Sequence, residues 1–380
     1  MMKLVLDNEE RMVRDSAELF LTDTAGPSLL REVRDSGNPL GYAEPLWQQM
    51  IDLGWPGILV PEEFDGLGFS QVAMGQIMEQ AGMSLASSPL FSTAVLGATA
   101  LTFAGNQQQK TEFLPKIAAG DLTFALAVDE TARHNADHIR TVANKTDQGY
   151  SLTGSKCFVV NGQSADMLIV AARTSGSDTD KNGISLFIIA RESAGIESVT
   201  TSMMDSRPVA TIHLKDVHAD ESQRLGALDQ GGATLAHLLT VANVHLTAEL
   251  LGISGECFKR TLAYLKDRKQ FGVAIGSFQA LQHRAALLWV EIELCKSGVI
   301  KALRALDAED KDAALLASAI KVKACKTAEL ATNEAIQMHG GIGMTDAFDV
   351  GFFIKRARVA QMLFGDCRYH LNKFAEYSGY

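Results

Sequence analysis

The spacing of apolar residues changes twice along the 380-residue chain. Over roughly the first third it is helical, as in the stretch from Leu46 to Leu53. From about Leu122 to Gly226, short β-branched runs alternate with turns and predict strands. Long amphipathic stretches return from about Ala233 and predict a four-helix bundle. The pattern therefore indicates an α+β chain with a helical domain at 1–120, a β domain at 121–226 and a helical domain at 227–380.

The strands and helices are predicted at particular stretches of the sequence. The predicted strands are Phe124 to Val128, Thr141 to Ala143, Ser151 to Thr153, Phe158 to Val160, Met167 to Ala171 and Ser185 to Ile189. Strands at this spacing favour a barrel or a sandwich, and we expect an antiparallel β-barrel. The long helices are expected at Leu235 to Lys266 and at Ala313 to Met338. Asp7 and Glu10 form a capping-box pattern at the start of the first helix.

Composition and charge narrow the class of protein. Hydrophobic residues make up 47% of the chain and charged residues 21%, which is typical of an ordered globular protein. The net charge of −10 argues against nucleic acid as a partner, because no basic field offsets the repulsion from phosphates. Five scattered cysteines without a Cys-x-x-Cys pair indicate neither a disulfide framework nor a metal site. With no signal segment and no membrane span expected, the sequence predicts a soluble cytoplasmic protein.

Two stretches in the last third of the chain contain candidate ligand-binding residues. The first is RKQFGVAIGSFQALQH at 268–283, in which an always-charged guanidinium precedes a glycine-loosened turn and a new helix. That combination suits a phosphate-bearing ligand. The second is QMHGGIGMT at 337–345, a helix end with a glycine loop that lets a ligand or another backbone approach closely. A plain helix C-cap would explain the second stretch without any ligand.

Taken together, these stretches resemble the acyl-CoA dehydrogenase family of flavoproteins, in which they read R-x-Q-F-G and Q-x-x-G-G-x-G. GWPGILVPEEFDGLG at 54–68 is similar to a loop of the family's N-terminal domain, and GNQQQKTEFLPKIAAG at 105–120 to the helix that leads out of it. The resemblance implies the family's three-domain fold, bound FAD, and dehydrogenation of an acyl-CoA substrate in the β-oxidation of fatty acids or sterol side chains.

The resemblance also assigns cofactor and substrate contacts. In the family, matching residues reach across a dimer interface and hold the ADP half of the neighbour's FAD; here they are Arg268, Phe271, Gln279, Gln337, Gly340 and Gly341.

KCFVVNG at 156–162 resembles the family's K-x-W-I-T-N-G strand. Phe158 is therefore expected to stack on the flavin, or else to be simply a barrel residue, and Val160 to lie beside the ring without the usual hydroxyl. The flavin- and substrate-contacting loop T-E-P-x-A-G-S-D is matched only by Glu130 and Asp137, and Asp137 is the expected substrate contact.

The family's catalytic glutamate is missing from both of its usual places, which fall on Phe364 and Ala242. Asp366 is the first candidate for a relocated base, because it lies two residues after Phe364 on the same loop. An Asp there also suits a helix N-cap. Glu249 lies about 10 Å along the helix of Ala242 and is a weaker candidate, as is Glu130.

Three functions remain open on the sequence. The chain is either a self-sufficient FAD-dependent dehydrogenase with a relocated base, or the non-catalytic, FAD-clasping subunit of a heteromeric acyl-CoA dehydrogenase, or a flavin-free scaffold. The residues assigned to the ADP half of FAD, such as Arg268, Gln279 and Gln337, are retained. Their retention argues against the scaffold, since a scaffold without flavin does not need an arginine and two glutamines at a dimer interface. The resemblance further implies a dimer of dimers, as a homo- or heterotetramer, and an electron-transferring flavoprotein as electron acceptor.

Overall fold

Helices precede and follow a run of strands in the computed structural model, which describes residues 4–180 and 182–380. The helices before the strands are α1 (Asn8–Thr24), α2 (Pro27–Asp35), α3 (Glu44–Asp52), α4 (Gln71–Ser84), α5 (Ala98–Ala104) and α6 (Gln107–Ala119), with a π-helix at Phe91–Gly97. The helices after them are α7 (Gly231–Asp267), α8 (Gln279–Asp307), α9 (Ala313–His339), α10 (Val350–Met362) and α11 (Cys367–Tyr377). The predicted long helices are confirmed as α7 and α9.

The start of α1 shows how local sequence determines a helix boundary. Glu10 N donates to the Asp7 carboxylate at 2.9 Å, and Asp7 N donates to the Glu10 carboxylate at 2.8 Å. These two bonds satisfy donors that have no partner within the helix. The predicted capping box is therefore confirmed.

The strands form an eight-stranded sheet with the order β6-β7-β3-β2-β4-β5-β8, in which β1 also pairs with β4. The strands are β1 (Phe124–Ala127), β2 (Val142–Thr146), β3 (Gly149–Val160), β4 (Met167–Arg173), β5 (Ile184–Ala190), β6 (Ile196–Ser202), β7 (Pro208–Ala219) and β8 (Arg224–Leu225). The predicted middle β domain is confirmed. The sheet is mixed, however, because β1 pairs with β4 in parallel, as does β2 at one position. The hairpin of β2 and β3 lies between β1 and β4 in the chain and supplies the long connection that a parallel pair needs.

Two of the observed strands, β6 and β7, lie outside the predicted runs. β6 is exposed along almost its whole length, so no apolar face marks it in the sequence. β7 pairs with β3 on one side and β6 on the other. β3 itself is one strand that joins two of the predicted runs. The pairing of strands therefore extends further than hydrophobic periodicity indicates.

Contacts between Cα atoms divide the chain into two compact units. The first unit comprises Met1–Glu32, Gln71–Ala86 and Asn243–Tyr380, and the second comprises Val33–Ser70 and Ser87–Ala242. The second unit has an apolar sheet core that includes Leu152, Val170 and Phe187. The domain boundaries at 120/121 and 226/227 follow the sequence pattern and stay a prediction.

By length and composition, α7 would be able to cross a membrane. However, 89% of its most apolar window is buried within the structure, so this match is weak evidence for a membrane span. No group of three or more His, Cys, Asp or Glu side chains placed to hold a metal ion occurs within residues 4–180 and 182–380.

Candidate active site

The hairpin after α7 presents Phe271 to solvent. β9 (Lys269–Gln270) and β10 (Val273–Ala274) pair antiparallel, and the backbone φ angles between them are 54° at Phe271 and 81° at Gly272. This turn suits a two-residue hairpin, but a left-handed backbone is strained for phenylalanine. The Phe271 ring meets Phe278 edge-on at 6.2 Å, yet 93% of the residue is exposed. Packing within the chain therefore does not explain why a phenylalanine occupies this position.

The other residues assigned to the ADP half of the cofactor are also exposed in the first unit. Arg268 has an exposed side chain and no ion-pair partner within the described part of the chain. Gln279 begins α8, and Gln337 lies in the last turn of α9. At Gly340 and Gly341, no neighbouring atom lies within 4 Å of where a Cβ would stand. A guanidinium, two amides and open glycine backbone form a donor set that fits a diphosphate.

An aromatic cluster joins the two stretches that carry these residues. The His339 ring, directly before the glycine loop, lies 4.4 Å from Tyr264 and 4.8 Å from Phe348 between ring centroids. Tyr264 O accepts a hydrogen bond from Arg268 N at 2.8 Å. Burial lowers the pKa of His339, so the ring is neutral near pH 7. The predicted phosphate-binding stretches therefore meet in the first unit.

In the second unit, a β-bulge exposes Phe158. The register of β3 against β7 shifts between Lys156 and Val159, where β3 contains one residue more than its partner. Phe158 has a φ of 53° and is 37% exposed. The aromatic side chain is thus placed on the surface rather than in the sheet core. Val160 is half-buried at the end of the same strand, opposite Val209.

A buried ion pair lies beside this bulge. The Lys156 ammonium is fully buried and donates to Glu130 Oε1 at 2.7 Å and to Val128 O at 3.2 Å. Burial lowers the pKa of Lys156, because it disfavours the charged form. Burial alone would raise the pKa of Glu130, but the charge of Lys156 and hydrogen bonds from Lys156 and Thr141 outweigh it and lower that pKa. The contact between Lys156 and Glu130 ties β3 to the loop after β1.

The loop that ends at Asp137 is fastened to the same strand. Cys157 N donates to Asp129 O at 2.7 Å, and Cys157 Sγ donates to Thr131 O at 3.1 Å. Within the loop, His134 Nδ1 lies 2.7 Å from Asp129 Oδ1. Asp137 itself is exposed. The loop has many contacts of its own although it lacks the proline and glycines of the family pattern.

The turn between α10 and α11 is where the resemblance places a catalytic glutamate. Phe364 occupies that position and is 5% exposed, with a φ of 52°. Asp366 is half-buried and caps α11, since its Oδ1 accepts from Tyr369 N at 2.8 Å. Its other oxygen, Oδ2, has no hydrogen-bond partner among residues 4–180 and 182–380. Asp366 thus has the N-cap role considered on the sequence and keeps one oxygen for chemistry.

The other acidic candidates are held by buried partners. Glu249 lies 3.3 Å from Arg356 within the first unit, and both side chains are almost fully buried. Glu130 belongs to the ion pair of the second unit and also accepts from two backbone N–H groups, at 2.7 and 2.9 Å. Ala242 is fully buried and carries no acid. Among the acids considered, Asp366 is the best placed to act as a base.

Sequence reasoning missed several residues that build these sites. The sequence analysis considered Glu130 as a match to the family's loop and as a weaker candidate for the catalytic base. It did not predict the ion pair between Glu130 and Lys156. It also missed Asn243, Lys321 and His370, which contact the turn of Asp366. The available signal was a polar residue within an apolar helical stretch. That signal does not say which neighbour the side chain meets.

Helical, β and helical segments in this order, with exposed groups suited to a diphosphate, are what the sequence resemblance implies for a dehydrogenase-type flavoprotein. Comparison with family models identifies the family within this class. Residues 7–121 match the acyl-CoA dehydrogenase N-terminal domain, residues 124–217 its middle domain and residues 229–378 its C-terminal domain. The chain therefore belongs to the acyl-CoA dehydrogenase family, a family of oxidoreductases that is FAD-dependent in general.

Known proteins agree with this assignment. The probable acyl-CoA dehydrogenase YngJ of Bacillus subtilis (strain 168) is 30% identical over 375 residues, which is 95% of either chain. Butyryl-CoA dehydrogenase from Megasphaera elsdenii has a TM-score of 0.91 at 25% identity, covering 99% of this chain and 100% of that chain. The ChsE4-ChsE5 complex from Mycobacterium tuberculosis includes a chain with a TM-score of 0.90 at 23% identity, with complete coverage of both, which shows the fold alone. The predicted family and fold class are confirmed.

Proposed function

We propose that this protein binds FAD and catalyses the α,β-dehydrogenation of an acyl-CoA thioester. The observation that carries the proposal is the set of exposed groups in the first unit, where Arg268, Gln279, Gln337 and the open glycine loop are available to a diphosphate. The general FAD dependence of the family supports FAD as the molecule that brings the diphosphate.

The residues of the chain have separable roles in this reaction. FAD, when bound, supplies the acceptor for the hydride that leaves the β carbon. Arg268 neutralises and orients the diphosphate of the neighbouring subunit's FAD, while Phe158 offers an exposed ring face for stacking on the flavin of its own subunit. Val160 has no hydroxyl, so stacking rather than a hydrogen bond from that residue orients the ring system.

Asp366 is the residue we propose as the base. The reaction requires a carboxylate to take a proton from the carbon next to the thioester. Oδ1 of Asp366 is engaged with Tyr369 N, and Oδ2 is the oxygen that accepts the proton. One carboxylate then serves both as helix cap and as base.

The flavin content of the purified chain, expressed alone, tests the proposal. We expect about one FAD per subunit and bleaching of the flavin absorbance by an acyl-CoA. Asp366→Asn is then expected to keep its FAD and its stability, because Asn is an equally good N-cap, and to lose about 10²- to 10⁴-fold in turnover. A chain that binds FAD stoichiometrically but reacts with no acyl-CoA would contradict the proposed reaction.

A second candidate function is the non-catalytic clasp for the FAD of a homologous partner. The observation in its favour is that Glu249 and Glu130 are engaged with buried cations while a phenylalanine occupies position 364. One of the structural relatives comes from a complex of two differently named chains, ChsE4 and ChsE5. A colourless chain that takes up FAD at half stoichiometry, and only with its partner, would establish this function instead.

Assembly and electron transfer follow from either candidate. We propose a dimer of dimers, homo- or heterotetrameric, because the clasping groups of one chain would hold the cofactor of its neighbour. An electron-transferring flavoprotein is the proposed acceptor. Mass measurement of the native assembly, with and without co-expressed homologues, distinguishes the two forms.

Phe271→Gly is expected to separate cofactor binding from folding. Glycine adopts the positive φ of this turn without strain, so the apparent melting temperature should stay the same or rise. Loss of a buried aromatic contact with the cofactor costs about 1.5–3 kcal/mol, or roughly 10- to 150-fold in FAD affinity. Val273→Ala on the same hairpin is the matched control. FAD affinity that is unchanged in Phe271→Gly would remove Phe271 from the binding site.

A further inference from the structure

Lys321 lies fully buried in α9 and reaches the C-terminal end of α10. Its ammonium donates to Ala360 O at 2.9 Å and to Leu363 O at 3.1 Å. Carbonyl groups in the last turn of a helix lack partners within the helix, and the negative end of the helix dipole favours a cation there. An apolar side chain at position 321 would leave both carbonyls without this donor.

Two further helices hold the next carbonyl of the same turn. Asn243 on α7 donates from Nδ2 to Phe364 O at 3.2 Å. His370 on α11 places Nε2 3.1 Å from the same oxygen. Because a carbonyl oxygen only accepts, His370 carries a proton on Nε2. Three helices therefore converge on the main chain of residues 363–364.

The backbone of this turn needs such support. Phe364 has a φ of 52° and Gly365 a φ of 108°. A Cβ at Gly365 would lie 2.4 Å from the Tyr369 ring and 2.9 Å from His370 Nε2. A left-handed backbone is strained for phenylalanine and persists only where its surroundings hold it. The donors from α7, α9 and α11 provide that restraint.

We propose that Lys321 is a positioning residue. It fixes the turn 363–366, so that a carboxylate on this turn is held at the correct position relative to the substrate. The catalytic part of this inference rests on the proposed function. The structural part rests only on the hydrogen bonds from Lys321, Asn243 and His370 to main-chain oxygens of this turn, which we call the clamp. Restraint of this kind matters because displacement of a reacting group by about 1 Å costs on the order of 10²-fold in rate.

The groups that face Lys321 keep it charged at neutral pH. Burial lowers its pKa to about 8, against the opposing effects of Cys325 on the same helix and Glu249 on α7. Glu249 in turn pairs with Arg356 on α10. Near pH 7 the ammonium form therefore predominates, and its hydrogen bonds to the carbonyls are charge-assisted.

Amide hydrogen exchange tests the clamp without any need for flavin. Lys321→Met keeps a long unbranched side chain but removes the donors. The amides of Leu363, Tyr369 and His370 are expected to exchange about tenfold faster, which corresponds to a loss of about 1.4 kcal/mol of local stability. Lys326→Met, an exposed lysine on the same helix, is the matched control and should leave these rates unchanged. If Lys321→Met does not fold, Lys321→Leu, which likewise carries no donor, replaces it in the same comparison.

Turnover of the flavin-loaded protein tests the catalytic part. Lys321→Met is expected to lower kcat by about 10- to 100-fold with KM within about twofold, because geometry rather than substrate binding is lost. Lys326→Met should change neither constant. Unchanged exchange at the turn, or a rise in KM with kcat intact, would overturn the inference. A wild-type chain without turnover would instead overturn the proposed function, and exchange alone would decide whether Lys321 holds the turn.

Discussion

In an Asp366→Asn background, which lacks the proposed base, Phe364→Glu is expected to raise the rate of acyl-CoA dehydrogenation by about 10²- to 10⁴-fold over Phe364→Gln, the range that a positioned general base contributes. The substitution restores the carboxylate that the family carries at this position. The clamp acts on main-chain oxygens, namely those of Ala360, Leu363 and Phe364, so exchanging the side chain at 364 leaves it intact. Phe364 is 5% exposed, and the same burial should raise the pKa of a glutamate there toward the operating pH.

Phe364→Gln is the matched control, because glutamine has nearly the same shape as glutamate but carries no charge. Both variants are loaded with FAD and assayed by the bleaching of flavin absorbance with a series of acyl-CoA thioesters between pH 6 and pH 9. The rate of Phe364→Glu should rise with pH as its carboxyl group ionises, whereas the glutamine variant should show no such rise. Equal rates in the two flavin-loaded variants would mean that position 364 does not face the substrate.

The sequence was sufficient to predict the fold class, because the signals were either local patterns or motifs that resemble those of a known family. Helical periodicity located α7 and α9, and the Asp7–Glu10 capping box marked the start of α1. Strand pairing was harder to predict. The parallel pairing of β1 with β4 and the exposed strand β6 both depend on neighbours that lie far away in the chain.

For the proposed site, the motifs indicated which residues would hold the diphosphate but not the conformation of these residues. That Phe271 stands almost fully exposed on a strained turn required the backbone angles. The partners of Lys321 were equally out of reach, because Ala360 and Leu363 take part through main-chain oxygens, which every residue type has. Buried polar networks are specified by tertiary packing, and a single sequence shows only that a charged residue lies in an apolar stretch.

Glu130→Gln is expected to destabilise the second unit by about 3–5 kcal/mol at neutral pH, although the substitution is nearly isosteric. It leaves the ammonium of Lys156 fully buried with a carbonyl, Val128 O, but without its counter-charge. For a unit of this size the loss corresponds to a fall of roughly 6–20 °C in apparent melting temperature. Glu221→Gln, which breaks the surface pairs with Lys145 and Arg224, is the matched control and should cost no more than about 1–2 kcal/mol.

The pH dependence of this loss identifies the ion pair as its cause. The folded-state pKa of Glu130 is lowered. Its contribution to the free energy of unfolding is therefore present above the unfolded-state pKa of about 4.3 and is lost as the pH falls through the folded-state pKa. The folded-state pKa of Lys156 is also lowered, so the cost of burying its charge disappears between that value and about 10.4. The difference in melting temperature between wild type and Glu130→Gln should therefore be greatest near neutral pH and shrink toward both extremes. The double variant Glu130→Gln/Lys156→Met should recover much of the stability, because it removes the unpaired charge. A difference that stays constant from pH 4 to pH 10 would show that Glu130 acts through its hydrogen bonds to the backbone and not through Lys156.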